Sequence, residues 1–250
     1  MRQAKKRIRL ALRRAAARWL KLDRDEKIIR SYLSGSGARK LQIGCGRRIL
    51  DGWLNADFYP KTRNVLHLDA THRLPFDDAT FDVVFSEHMI EHVDFVRGQR
   101  LIQECCRVLV PGGILRISTP DLAFLIDLYR REEPPSRERS TLQAEFLHYF
   151  LDTEIRDRKR YAPVDYDSFL INEFVRAWGH EFIYDEKTVR FVMEESGFSD
   201  VVRCSVMESE HEALRDLEHV ERKPPGHLGL ESMVLEATKP PARAPGLRKA

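Results

Sequence analysis

The chain is poor in cysteine, and the cysteines it has are badly spaced for a framework. Cys45, Cys105, Cys106 and Cys204 form no CxxC pair, and two of them are adjacent. That excludes a disulfide scaffold and a zinc knuckle and leaves small buried hydrophobes in a reducing compartment as the expectation. No apolar run reaches the roughly 18 residues that cross a bilayer. The start of the chain lacks the apolar stretch and small-residue cleavage site of a secretory signal, although an Arg-rich, acid-poor start also matches the composition of a mitochondrial transit peptide. Acids are scarce in one place: residues 1–30 hold twelve Lys/Arg against three acids, a balance of +9. The rest holds 30 bases against 36 acids, a balance of −6. The body therefore has no excess of positive charge, which disfavours an extended nucleic-acid face.

What is present suits one packed domain with appendages. With 250 residues, 42% of them hydrophobic and 32% charged, the chain can bury a sizeable core. Residues 1–33 read as a basic amphipathic helix, with Ile8, Leu12, Ala15, Ala16, Trp19 and Leu22 at helical spacing. Residues 34–37 (SGSG) break it. Strands are expected over 41–43, 53–58, 65–70, 81–86, 114–118, 201–206 and 232–237. Helices are expected over 89–109, over 122–131 capped by Asp121, and over 185–196 ended by Gly197. Residues 81–86 (FDVVFS) are apolar enough to be buried on both faces, as parallel strands are. Residues 132–180 interrupt the alternation with aromatic-rich helical text and read as an inserted cap. Residues 239–250 read as a disordered tail. The fold class is therefore α/β, a doubly wound, mostly parallel seven-stranded sheet of Rossmann-like form with a helical cap insertion in a domain over 34–238. Two closing strands with no crossover helix between them suggest an antiparallel edge.

In such a sheet ligands sit beyond the carboxyl ends of the strands. After the first strand come Gly44 and Gly46, which let backbone approach a ligand and free amides for an anion. Ile49 stands where a dinucleotide fingerprint carries a third small residue, and Asp57 follows Gly46 by eleven residues rather than about 20. So short a crossover leaves little room for a pyrophosphate-binding helix. A ligand with one carboxylate and one ribose fits better. Asp57 ends strand two, where a carboxylate can accept two ribose hydroxyls or merely cap a turn. Asp69 ends strand three, where it can accept an amino group or close an Asx turn. Ser86, Glu87 and His88 end strand four, facing the same crevice.

Six segments stand in order: 41–46 (LQIGCG), 52–57 (GWLNAD), 74–78 (LPFDD), 81–92 (FDVVFSEHMIEH), 107–113 (RVLVPGG) and 115–121 (LRISTPD). Together they resemble a class I S-adenosylmethionine (SAM)-dependent methyltransferase of the type 11 kind. More closely the chain is similar to a bacterial branch of predicted methyltransferases. That branch also carries a GHxxxYD stretch, here residues 179–185, and a Gly-Phe pair, here Gly197 and Phe198. The resemblance spans about residues 40–238 and implies SAM as cofactor. It implies that Gln42, Gly44, Cys45 and Gly46 line its methionine part, that Asp57 holds the ribose, that Asp69 and Ala70 hold the adenine, and that Ser86 faces the methyl. Two positions depart from the pattern. Gln42 replaces an acid that many members carry, on the side of the methionine amino group, and Arg48 replaces a third glycine beside its carboxylate.

Methyl transfer needs alignment and exclusion of water more than acid or base strength, yet a hydroxyl acceptor benefits from a base near neutral pKa. His88 is the first candidate for that catalytic role and His180 the second; each is otherwise a capping or packing histidine. The stretch His88–His92 also matches the HxxEH pattern of inverted zinc peptidases. That reading needs a helix and a downstream acid, whereas the stretch follows a buried strand directly, so no metal is assigned. The resemblance implies a small molecule or glycan precursor as acceptor, with surface polysaccharide biosynthesis as its setting. Arg156, Arg158, Lys159 and Arg160 are available for a phosphate-linked sugar or for solvent. The expected location is cytoplasmic, and residues 1–30 have three readings: peripheral docking on an anionic inner membrane face, contact with a partner or nucleic acid, or an exposed leader. Rival readings are a non-catalytic partner subunit with the same fold and an NAD(P)-dependent oxidoreductase.

Overall fold

A computed structural model describes residues 22–129, 142, 143, 145, 146, 149, 150 and 167–241. The first 21 residues, most of the inserted cap with Arg156, Arg158, Lys159 and Arg160, and the tail from 242 lie outside the described residues. Helix α1 (residues 22–33) is the described part of the helix expected over 1–33. It packs Ile28, Ile29 and Tyr32 on the core, and the Tyr32 hydroxyl accepts from the Lys40 amide and donates to its carbonyl.

The sheet is built from β1 (Lys40–Ile43), β2 (Leu54–Asp57), β3 (Leu66–His67), β4 (Phe81–Glu87), β5 (Leu109–Pro120), β6 (Ser199–Cys204) and β7 (Ser232–Thr238). Its order is β3-β2-β1-β4-β5-β7-β6. The first five strands pair in parallel, and β7 runs antiparallel to both β5 and β6. The antiparallel strand expected at an edge thus lies one place inside it. β6, reached through a helix, takes the edge, and β7 slots between β5 and β6 because the chain returns without a crossover helix.

Other boundaries also moved. The third strand is two residues rather than six. The fifth runs straight through Pro111, Gly112 and Gly113 because Lys239 pairs with that segment: the Gly112 amide donates to the Lys239 carbonyl and the Lys239 amide to the Gly113 carbonyl, both at 2.8 Å. The helix expected from 89 starts later. A single 3-10 turn, Ile90–His92, comes first, and α2 (Phe95–Val108) begins after Asp94, whose carboxylate accepts from the Arg97 amide. The α2 face made by Gly98, Leu101, Ile102, Cys105 and Val108 is buried, at the spacing an amphipathic helix requires.

Helix α3 (Leu122–Tyr129) follows Asp121, whose Oδ1 accepts from the Ala123 amide at 2.9 Å. Helix α4 (Asp167–Arg176) belongs to the inserted region. Leu170 and Phe174 of α4 join Phe146 and Phe150 against Phe124, Leu125 and Leu128 of α3 in a second apolar cluster, separate from the main core. Those aromatics pack the cap. Helix α5 (Glu186–Glu195) starts at the Asp185 cap, buries Val189, Val192 and Met193, and ends at Gly197 with φ +96°. A short α6 (His227–Glu231) leads into β7.

The two sheet faces are covered differently. α2 and α5 cover one, packing on Leu41, Ile43, Leu54, Val84, Leu115 and Ile117. The short β1–β2 crossover leaves no helix for the other. Residues 205–222 cover it instead, with Leu214 and Leu217 on Trp53, Val83 and Phe85. Arg116, fully buried on that face, donates to Glu218 Oε1 at 2.7 Å and Glu236 Oε1 at 2.5 Å, and to the Glu208 carbonyl at 2.9 Å. A buried guanidinium is tolerated only when paired and bonded in this way.

Candidate active site

The strand ends bring the sequence-derived residues to one edge of the sheet. Gly44 and Cys45 amides both donate to the Ala56 carbonyl, at 2.9 and 3.0 Å, so the glycine turn is tied to β2. The Gly46 amide donates to Asp57 Oδ2 at 2.8 Å, and Asp57 Oδ1 accepts from the Tyr59 amide at 2.7 Å. A carboxylate has about four acceptor positions, so Asp57 keeps capacity for two hydroxyls. On the other side of the turn, Ile43 is in register with Ser86 of β4.

The two glycines differ in what they make room for. Gly44 (φ +76°) lies against Met89, whose Cγ would sit 2.5 Å from any added Cβ. Gly46 (φ +56°) has nothing within 4 Å of that position, so it faces open space. Gln42 and Ser86 are buried, and neither Gln42 Oε1 nor Ser86 Oγ has a partner among the described residues. Buried polar atoms of this kind await a ligand or a water. Burial pushes the Cys45 thiol up to about 11, so it is a neutral lining group rather than a nucleophile. Arg48 leaves the turn in the direction of residues 205–222, with Nη2 donating to the Asp216 carbonyl at 3.3 Å.

Asp69 follows β3. Its Oδ1 closes a turn with Thr71, accepting from the amide at 3.0 Å and from Oγ1 at 2.6 Å, while Oδ2 lies 3.1 Å from His72 Nδ1. Partial burial works against ionisation there, but the Thr71 and His72 contacts prevail and hold the carboxyl below its ordinary range. The Asx-turn role is therefore present, and Ala70 sits beside it, partly buried against the core.

His88 takes a left-handed backbone conformation, φ +46°, fixed by its amide donating to the Ser118 carbonyl at 2.8 Å. Strained non-glycine positions of this kind cluster at functional sites. Its Nε2 lies 2.8 Å from Ser232 Oγ and its Nδ1 lies 3.3 Å from Glu91 Oε1. Ser232 in turn lines a cavity of about 650 Å³ together with Cys204, Ser205, Met207, Gly226 and Leu228. His180 is brought to the same neighbourhood from the far end of the inserted region. Its ring centroid is 4.9 Å from that of His92, and Nδ1 is 2.5 Å from the Phe174 carbonyl. Burial lowers its pKa.

Arg116, Glu218 and Ser232 escaped sequence reasoning, and Glu91 entered it only within the HxxEH pattern. The signal for Arg116 was present: an arginine inside LRIS, an otherwise buried strand, demands acids from elsewhere in the chain. Nothing local pointed to Ser232. Among the described residues no helix is long and apolar enough to cross a membrane.

Residues 55–117 match the model of a family described as a methyltransferase domain. The match runs from β2 into β5 and begins after the glycine turn. No curated protein matches the chain. Similar solved structures include a SAM-dependent methyltransferase from Thermotoga maritima, at 18% identity over 84% of this chain and 88% of that chain, TM-score 0.43. Another, from Archaeoglobus fulgidus, has 18% identity over 88% and 94%, TM-score 0.45. A third, from Mesorhizobium loti, has 18% identity over 81% and 91%, TM-score 0.46. Over residues 55–117 the chain is thus similar to a methyltransferase domain, and the strand order around that stretch is that of a mostly parallel, doubly wound sheet.

Proposed function

We propose that the protein methylates a hydroxyl oxygen of a small-molecule or glycan-precursor acceptor, with residues 34–238 as the working domain. The observation that carries this reading is the bond between the Gly46 amide and Asp57, which joins the open glycine turn to a carboxylate with acceptor capacity to spare. Gln42, Gly44, Cys45 and Gly46 receive the methionine end, with Gln42 Oε1 and Ser86 Oγ as buried atoms free to bond. Asp57 accepts the ribose hydroxyls, and Asp69 and Ala70 border the adenine. Bound there, SAM supplies an electrophilic methyl on a positively charged sulfur.

His88 is the proposed base and the cavity beyond Ser232 the proposed acceptor chamber. An acceptor hydroxyl in that chamber passes its proton to His88 Nε2 through the Ser232 hydroxyl, 2.8 Å away. The other ring nitrogen, Nδ1, faces Glu91 Oε1 at 3.3 Å. His180 serves this reading as a neighbour of Glu91 rather than as a second base. Cytoplasmic location and a role in polysaccharide biosynthesis belong to the same proposal, as does peripheral membrane contact through residues 1–30, which the +9 balance of that segment supports.

Calorimetric titration with SAM, S-adenosylhomocysteine and NADPH tests it. Binding of the first two is expected, followed by methyl transfer to hydroxyl-bearing sugar phosphates in an acceptor screen. NADPH binding alone would move the protein to the oxidoreductases. SAM binding with no turnover on any acceptor would make it a partner subunit. Co-sedimentation of the full chain and residues 34–250 with anionic liposomes tests the membrane contact, and equal binding by both would end it.

A further inference from the structure

We propose that Glu91, His92 and His180 form a binding site for a divalent transition-metal ion of the zinc class. The site goes beyond the methyltransferase reading and does not rest on it.

One ligand atom from each of the three side chains lies within 4.8 Å of the others. The backbone holds them there. The 3-10 turn Ile90–His92 presents Glu91 and His92, and the amides of Glu181 and Phe182 both donate to the Glu91 carbonyl, at 2.7 and 3.3 Å. That clasp fixes His180 against the turn whatever the side chains do.

The chemistry of each donor suits a cation. The Phe174 carbonyl can only accept, so His180 Nδ1 carries the proton and Nε2 presents a lone pair. Metal-bound imidazoles are oriented in this way, by an N–H to a backbone carbonyl on the far nitrogen. Glu91 is fully buried, and its Oε2 accepts from Thr119 Oγ1 at 3.0 Å while Oε1 has no hydrogen-bond donor. The nearest group, His88 Nδ1, is at 3.3 Å but not aligned as a hydrogen bond. A buried carboxylate oxygen with one unaligned contact at 3.3 Å is under-satisfied, and a cation completes its coordination. Two imidazoles and one carboxylate with an open position is a recurrent zinc donor set. Bonds of about 2.0–2.1 Å at tetrahedral angles put ligand atoms about 3.4 Å apart. The group therefore closes by roughly 1.4 Å at its widest, which side-chain torsions of His92 and His180 can supply.

This is not the HxxEH arrangement. His88 belongs to Ser232, the stretch is not an α-helix, and the third ligand comes from 88 positions downstream of His92. A bound ion pins residues 179–182, the end of the inserted region, to the loop that carries His88.

The test uses the full chain, stripped with a chelator and reloaded with Zn²⁺ or Co²⁺. One ion per chain is expected by native mass spectrometry, with a rise in Tm on adding Zn²⁺. His92→Ala and His180→Ala are expected to weaken binding by at least about 100-fold. His180→Cys is expected to keep Co²⁺ and gain a thiolate-to-cobalt charge-transfer band, a gain that a misfolded variant cannot give. A wild-type chain that binds neither ion overturns the proposal. So does a thiolate band in the wild type, which would place the ion on cysteine. SAM titration of the stripped chain runs alongside, so that loss of this site and loss of the methyltransferase reading are told apart.

Discussion

The Gly46 amide and the Asp57 carboxylate meet at 2.8 Å, closing the end of β1 onto the end of β2. Asp57→Asn keeps the shape and removes the charge. Hydrogen bonds to a charged group are worth about 1.5–3 kcal/mol, so SAM affinity is expected to fall about 10- to 100-fold in calorimetry. An unchanged Kd would remove Asp57 from the cofactor site.

The glycine turn offers a matched pair. Gly44→Ala meets both a left-handed backbone and Met89 at 2.5 Å, whereas Gly46→Ala meets the backbone term alone. The first is expected to cost about 2–5 kcal/mol of stability, the second about 1–2 kcal/mol, by urea denaturation. Because the space beside Gly46 is open, its substitution is expected to lower SAM binding instead. Equal stability losses would show that Met89 yields.

His88→Ala is expected to slow turnover by about 10²-fold or more while SAM affinity stays near wild type. Full turnover in that variant would return His88 to a packing role.

These residues also mark how far the sequence could be read. The strand-end rule placed Gly44, Gly46, Asp57, Asp69, Ser86 and His88 because parallel strands expose their carboxyl ends in sequence order, a local property. The start of α2 was read six residues early, since Met89 continues the apolar pattern while the backbone at His88 turns left-handed and Asp94 supplies the cap. The place of β7 depended on pairing between residues more than a hundred positions apart, such as Ile117 with Leu235. No local window contains that. The meeting of Glu91 with His180 is likewise tertiary, made by the amides of Glu181 and Phe182.

Arg116 predicts a large stability effect. Glu218→Ala leaves a fully buried guanidinium short of one partner, and the loss is expected to be about 3–5 kcal/mol in urea denaturation. A change below about 1 kcal/mol would mean that water reaches the network.

Stability is also expected to fall with pH below neutrality through His227. This buried residue packs edge to face with Phe146 and Tyr149, with Glu145, Glu231 and Lys223 around it. Burial depresses its pKa below the ordinary 6.5. As pH drops through that value the unfolded chain takes up a proton that the folded chain refuses, so stability declines until the depressed native value is passed. The urea midpoint of the wild type is expected to fall more between about pH 7.5 and 5.5 than that of His227→Phe. Parallel declines would assign the effect to other groups.

Residues 205–222 stand in for a missing helix on one face of the sheet, supply Glu218 to Arg116, and contribute Ser205, Met207 and Val220 to the wall of the chamber. One ribbon is thus both keystone and doorframe. A mutation that reshapes the chamber for a new acceptor also loosens the seat of the arginine, so acceptor range and folding evolve in this protein under a shared constraint.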